Sequence, residues 1–274
     1  MSSFTDPARL GISGRVIARC RDEGRAAFIG YLPVGYPTVD GGLRAFRALA
    51  ESADIVEIGM PYTDPFLDGT VIQHATTRAL QRGVRTTDAL RAAETVAEAG
   101  RTPVVMTYWN LIEQYGPDSF ARDLAAAGGA GVITPDLTPD EAEEWFAATD
   151  AHGLDRIFLI APSSTPERIA MTMAACRGWV YATSVMGVTG VRTTTSAAAP
   201  IIASRAREID PGLPVGIGLG VGTAAQAAEV ARYADAVIVG SALVRCLGPD
   251  GEDLDQDLDR LTRLTAELAA GVKQ

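Results

Sequence analysis

Eight times along this chain a short apolar run is followed by a segment with helix signals, and no other feature restricts the fold as strongly. The runs are Ala26–Leu32, Ile55–Gly59, Pro103–Tyr108, Gly131–Thr134, Arg156–Ile160, Trp179–Ala182, Pro214–Ile217 and Ala236–Val239. Most are continuously apolar rather than alternating, the pattern of parallel strands buried on both faces. Helices are expected at Thr38–Glu51, Thr87–Ala99, Pro117–Ala127, Pro139–Thr149 behind the cap Thr138, Pro166 to about Ala175 behind Thr165, Ser196–Glu208 and Thr223–Tyr233. A short helix, Leu10 to Arg21, precedes the first strand. Glu252–Ala270 closes the chain, its aspartates ahead of Arg260 and Arg263 as a helix dipole favours. No linker or low-complexity tract intervenes. Eight strand–helix units in 274 residues predict one α/β domain over 1–274, a (β/α)8 TIM barrel with an extra N-terminal helix. An open doubly wound sheet is the alternative.

In a barrel of this kind the chemistry sits where the strands end and on the loops that follow. Glu57 lies near the end of the second run among Ile55, Val56, Ile58 and Met60, and Asp68 follows on a long loop. A lone glutamate at a strand end is ordinarily solvated. At a barrel mouth with apolar neighbours, burial instead disfavours its charge and suits it to moving protons. Asp68, next to Gly69, is expected to be wetter and ionised, so the two carboxylates divide acid and base roles.

A second constellation is glycine-rich. Gly216 lies in the seventh run, Gly218, Gly220 and Gly222 follow it, and Gly240 with Ser241 follows the eighth. Bare backbone N–H groups at helix starts bind phosphate without a lysine, and these two loops are the usual phosphate site of a barrel. A dinucleotide fingerprint is the competing reading. Its strict form fails, because a third glycine is required where Thr223 stands, and only Gly220, Gly222 and Ala225 meet the relaxed form. The stretch Tyr181–Arg192, rich in Gly, Ser and Thr, reads as a lid. Tyr181 at its start either contacts substrate or packs in the barrel core.

Composition removes several rival functions. Net charge is −10, which opposes nucleic acid and anionic membranes as partners. There is no apolar run of membrane-spanning length and no basic-then-apolar leader, so a soluble, cytoplasmic protein is expected. Cys20, Cys176 and Cys246 have no metal or redox spacing, and with His74 and His152 as the only histidines no metal site is expected. The only lysine is Lys273, beside the C-terminus, so neither a Schiff base nor lysine-bound pyridoxal phosphate fits, and no cofactor is expected.

Taken in order, E-I-G-M-P-Y-T-D-P-F-L-D-G with V-I-Q (Glu57–Gln73), M-T-Y-W-N (Met106–Asn110), Pro135-Asp136-Leu137, A-P-S-S-T-P-E-R-I (Ala161–Ile169), G-V-T-G-V-R (Gly187–Arg192), G-L-G (Gly218–Gly220) and G-S-A (Gly240–Ala242) resemble the tryptophan synthase alpha subunit family, over almost the whole chain. The resemblance implies a lyase that splits indole-3-glycerol phosphate by a retro-aldol reaction into indole and glyceraldehyde 3-phosphate. It makes Glu57 the catalytic glutamate and Asp68 the aspartate near the indole nitrogen. It places Tyr181 beside the substrate, Tyr31 where a phenylalanine commonly packs on indole, and Thr189 as the lid threonine that closes on the aspartate. Gly190, Gly218, Gly220, Gly240 and Ser241 match its phosphate-binding positions. The implied partner is a pyridoxal-phosphate beta subunit, docked through segments matching Asp64-Pro65, Asn110 and Asp136, although these residues also suit loop caps and turns. The chain departs from the family at Thr70 and Thr138, where proline is usual, and at Thr223–Gln226. A stand-alone indole-3-glycerol phosphate lyase, a non-catalytic barrel that activates a partner, and a phosphosugar isomerase remain alternative readings.

Overall fold

The computed structural model describes residues 6–65, 68–183, 198–218, 220–249 and 251–273. Every strand pair is parallel, in the order of a sheet that begins with Asp155–Ile157 and ends with Leu159–Ile160. Those two ends are halves of one strand separated by Phe158 alone, so the sheet closes on itself as a barrel. Among the described residues, nine short strands are thus eight with one broken. The interruption falls where the fifth strand changes partners. Asp155–Ile157 pairs with Gly131–Ile133, while Leu159–Ile160 pairs with Tyr181 and Ala182 of Val180–Thr183. The Phe158 carbonyl accepts from the Tyr181 N–H at 3.0 Å, which keeps the seam bonded.

Two layers of apolar side chains hold the barrel. Outside, the strands pack on the surrounding helices through Phe28, Phe46, Phe120 and Trp145. Inside lie Ile29, Ile55, Val104, Ile133, Ile157, Trp179 and Ile238. Each such fully buried side chain stabilises by roughly 1.5–3 kcal/mol. Ile17 and Cys20 of the helix Ser13–Asp22 join that inner cluster and close the end of the barrel at which the strands start. Chemistry is left the opposite end.

The N-terminal helix differs from the expected Leu10–Arg21. It is two helices, Pro7–Leu10 and Ser13–Asp22, broken at Gly11 with φ +54°. The cause is Asp155, fully buried, whose carboxylate accepts from the N–H of Ile12 at 3.1 Å and from Ser13 N–H and hydroxyl at 2.6 Å each. A Cβ at Gly11 would collide with that carboxylate.

Among the described residues, two helices come in addition to those expected, Thr70–Gln81 and Trp109–Tyr115. The first buries Ile72, Ala75, Thr76 and Ala79, a helical stripe too poor in large residues to stand out in the sequence. Among the described residues no helix is long and apolar enough to cross a membrane.

Candidate active site

Glu57 is carried by Ile55–Gly59, where alternation turns Ile55, Glu57 and Gly59 toward the barrel interior. Tyr31 of Ala27–Pro33 is its register partner on one side and Val104 on the other. The side chain is 1% exposed, and Oε2 is buried without a hydrogen-bond partner. An unpaired carboxylate there is costly, so the proton stays on. Burial, and after it the charge of Asp68, pushes the Glu57 carboxyl up to about 8.

Asp68 stands two residues before Thr70–Gln81, next to the cap Gly69, on the loop that leaves Glu57's strand. Its N–H donates to the Pro65 carbonyl at 3.1 Å, and its own carbonyl accepts from Gln73 Nε2 at 2.9 Å. These bonds tie the loop to the helix behind it. Asp68 is half-buried rather than freely wet, and burial raises its carboxyl to about 6. The two acids differ in the expected sense, Glu57 the more buried and the higher, but Asp68 is drier than expected and lies above the ordinary aspartate value. At pH 7 Glu57 is mainly protonated and Asp68 mainly ionised.

Two tyrosines complete the wall. Tyr31 is 6% exposed, and burial, then the charges of Asp68 and Glu57, holds its phenol protonated. Tyr181, opposite, feels burial first and then Glu57 and Asp68. The structure therefore brings Tyr31, Glu57, Asp68 and Tyr181 into one electrostatic neighbourhood. Two glycines make the room: a Cβ at Gly59 would strike the Tyr31 hydroxyl, and one at Gly218 would strike the Tyr181 hydroxyl. Tyr108 also belongs here, 7% exposed, stacked on Tyr62 at 4.5 Å and close enough to act on Tyr31. Tyr108 lies inside the M-T-Y-W-N segment, but nothing local in the sequence marks it as a residue of the mouth.

The remaining rim carries the glycines. Gly218 ends the strand Val215–Gly218, and Gly220 takes φ +65°, a conformation that favours glycine. Gly240 and Ser241 leave Ala236–Val239 and open the single turn Ser241–Val244. First-turn N–H groups of this kind have no acceptor within their own helix. The unusual Thr223–Gln226 turn is a working cap: Thr223 Oγ1 accepts from Gln226 N–H at 3.3 Å, and Gln226 Oε1 accepts from Gly222 N–H at 2.8 Å. Thr189 and Gly190 lie outside the described residues.

Of the docking candidates, Asp64, Asn110 and Asp136 are all exposed on this rim. Asp136 also serves as a cap, accepting the Trp109 N–H at 3.0 and 3.2 Å and so starting Trp109–Tyr115. Thr138 Oγ1 donates to Glu141 Oε2 at 3.2 Å. At the other end of the barrel a surface hollow of about 460 Å³ is lined by Arg9, Arg156 and Arg177 among others. Those guanidinium groups already face Asp210, Asp150 and Asp155, so their charge is matched.

The fold and the mouth define a class: a (β/α)8-barrel enzyme with a protonated and an ionised carboxyl beside a glycine-lined rim. Comparison with known proteins narrows the class. Residues 17–273 match the family model described as tryptophan synthase alpha chain. The tryptophan synthase alpha chain of Mycobacterium ulcerans is 60% identical over 95% of this chain and 94% of its own length. That of Acidothermus cellulolyticus is 59% identical over 95% and 97%. A solved Mycobacterium tuberculosis tryptophan synthase superposes with a TM-score of 0.90 at 56% identity, covering 96% of this chain and 99% of that one. A mutant alpha subunit from Pyrococcus furiosus, 28% identical, still gives 0.80 over 89% and 98%. This chain belongs to the tryptophan synthase alpha chain family.

Proposed function

We propose that this protein, folded as a single domain, is the lyase subunit of a tryptophan synthase, acting in the cytoplasm on indole-3-glycerol phosphate. The observation that carries the reading is the pairing of a buried, protonated Glu57 with an ionised Asp68 at one barrel mouth. Breaking a carbon–carbon bond beside a hydroxyl needs a place for two electrons, and with Lys273 as the only lysine no imine can supply it. The indole ring itself can. Glu57 gives its proton to indole C3, and Asp68 holds the N1–H that becomes positive. Glu57, now a carboxylate, takes the proton of the C3′ hydroxyl. The C3–C3′ bond then breaks, its electron pair restores the indole, and the oxygen keeps the aldehyde of glyceraldehyde 3-phosphate. Glu57 ends as it began, protonated.

Tyr31 and Tyr181 wall the ring, Gly190, Gly218, Gly220, Gly240 and Ser241 hold the phosphate, and Thr189 is the lid threonine that closes on Asp68. The pyridoxal-phosphate beta subunit docks on the rim that carries Asp64, Pro65, Asn110 and Asp136. The chain needs no cofactor of its own for the cleavage. The deciding experiment measures indole release by the purified chain with and without a beta subunit. Glu57→Gln should lower turnover by about 10²–10⁴-fold or more while substrate still binds. Near-normal activity in that variant would sink the assignment, and full activity without a partner would point to a stand-alone lyase.

A further inference from the structure

The proton path above gives the phenols of the mouth no task, and among them that of Tyr31 lies against Glu57's own strand, at Gly59. Its position is unusually constrained. The ring passes between Gly59 on one flanking strand and Gly240 just past the end of the other: Tyr31 Cδ1 lies 3.1 Å from where a Cβ of Gly240 would stand, and its hydroxyl fills the place of the missing side chain at Gly59. Glu57 and Gly59 point to the same face two residues apart, a spacing of about 6.6 Å along a strand. The phenol oxygen therefore sits one inward position above Glu57, on the mouth side. Tyr31 and Glu57 are also direct register partners, so no main chain separates them. A glutamate carboxyl extends roughly 3–4 Å beyond its Cβ through staggered torsions. Turning toward the mouth carries it to the Tyr31 oxygen. As it stands, Oε2 is buried with no hydrogen-bond partner, a condition that buried polar atoms rarely keep.

We propose that Tyr31 is a positioning residue: its hydroxyl is the hydrogen-bond partner that Glu57 takes up when its carboxyl turns toward the substrate. The phenol can serve both states of the acid. It accepts the O–H of protonated Glu57 and donates to the carboxylate formed after C3 is protonated. A tyrosine can do this and a phenylalanine cannot. The inference rests on the reaction proposed above only for where the proton goes.

The test is Tyr31→Phe, which keeps the ring and its packing and removes one oxygen. Glu57 is titrated directly by ¹³C NMR of its carboxyl, and kcat and KM for indole-3-glycerol phosphate are measured across pH. Asp68, Tyr108 and Tyr181 are the other titratable groups facing this pair, so the titration is repeated in an Asp68→Asn background to separate the phenol from that charge. A hydrogen bond to the charged acid is the stronger one. Its loss should raise the Glu57 titration midpoint in both backgrounds and move the alkaline limb of kcat with it. It should also lower kcat roughly two- to tenfold with KM unchanged. A Glu57 midpoint that is the same in both proteins overturns the proposal, as does a rise in KM at constant kcat, which is the mark of ring packing alone. If the wild-type chain releases no indole either alone or with a beta subunit, the assigned reaction fails, while the carboxyl titration still decides the role of Tyr31.

Discussion

The charge that presses on Glu57 comes from Asp68, eleven residues further along on the loop that Glu57's own strand feeds. Strand and loop thus set each other's protonation. With Asp68 at about 6 and Glu57 at about 8, the pair proposed to be productive, ionised Asp68 with protonated Glu57, is most populated between those values. The profile of kcat/KM against pH should be bell-shaped, with limbs that belong to the pair rather than to either acid. In Asp68→Asn the acid limb should disappear. The alkaline limb should move down, because the repelling charge is gone. A profile that is flat from pH 5 to 9 would contradict the assignment.

Burial makes Glu57 a liability to the fold, and its sign can be worked out. The folded chain holds the Glu57 proton up to about 8, whereas the ordinary value is 4.5. Between those values the unfolded state has already released a proton that the folded state keeps. Stability therefore falls as pH rises through that window and levels off above it. Glu57→Gln has no proton to lose there. It should be more stable than wild type at pH 8, on the order of 2–4 kcal/mol, and about equal to it near pH 4. Urea unfolding of both proteins at the two pH values measures the difference. A constant difference across pH would show that packing, not ionisation, separates them.

The floor of the barrel offers a contrast, because Asp155 joins a buried carboxylate to the chain's N-terminal segment. It binds the N–H groups of Ile12 and Ser13 and the Ser13 hydroxyl. Asp155→Ala leaves these donors without an acceptor and should destabilise the protein by about 2–4 kcal/mol. Turnover per folded molecule should stay near wild type, since the site is at the opposite end of the strands. Loss of activity in fully folded Asp155→Ala would mean that the floor transmits to the mouth.

What the sequence discloses follows the strength of local signals. Ile55–Gly59 and Ala236–Val239 fall where their apolar runs place them, because strands buried on both faces need continuous hydrophobic sequence. The break at Phe158 carries no such mark, since it arises from a change of partner strand. Thr70–Gln81 hides because its buried face is built from alanine and threonine as much as from Ile72. Trp109–Tyr115 is started by Asp136, which is distant in the chain, so no nearby residue announces it. At the site, Glu57 and Asp68 stand out as carboxylates beside an apolar run and a glycine. The raised value of Asp68 does not, because it depends on how the loop comes back over the mouth. Tyr108 is missed for the same reason: its stacking on Tyr62 exists only after two loops meet.

Asp136 has two separable tasks, and a pair of substitutions divides them. It caps Trp109–Tyr115 and places a negative charge on the exposed rim beside Asn110. Asp136→Asn keeps an oxygen for the Trp109 N–H and removes the charge, whereas Asp136→Ala removes both. The lost cap should destabilise the isolated chain by about 1 kcal/mol in the alanine variant and by much less in the asparagine one. Trp109 is half-buried and packs edge-on against Trp145 at 5.8 Å, so a shift of its fluorescence should report the fraying in Asp136→Ala. If the rim is where the beta subunit docks, both variants should need more of it for half-maximal indole release, by roughly tenfold for a lost interfacial charge. Titrating beta subunit into wild type and the two variants measures this. An unchanged midpoint for Asp136→Asn together with a raised one for Asp136→Ala would assign Asp136 to shaping the helix, and unchanged midpoints for both would remove it from the interface.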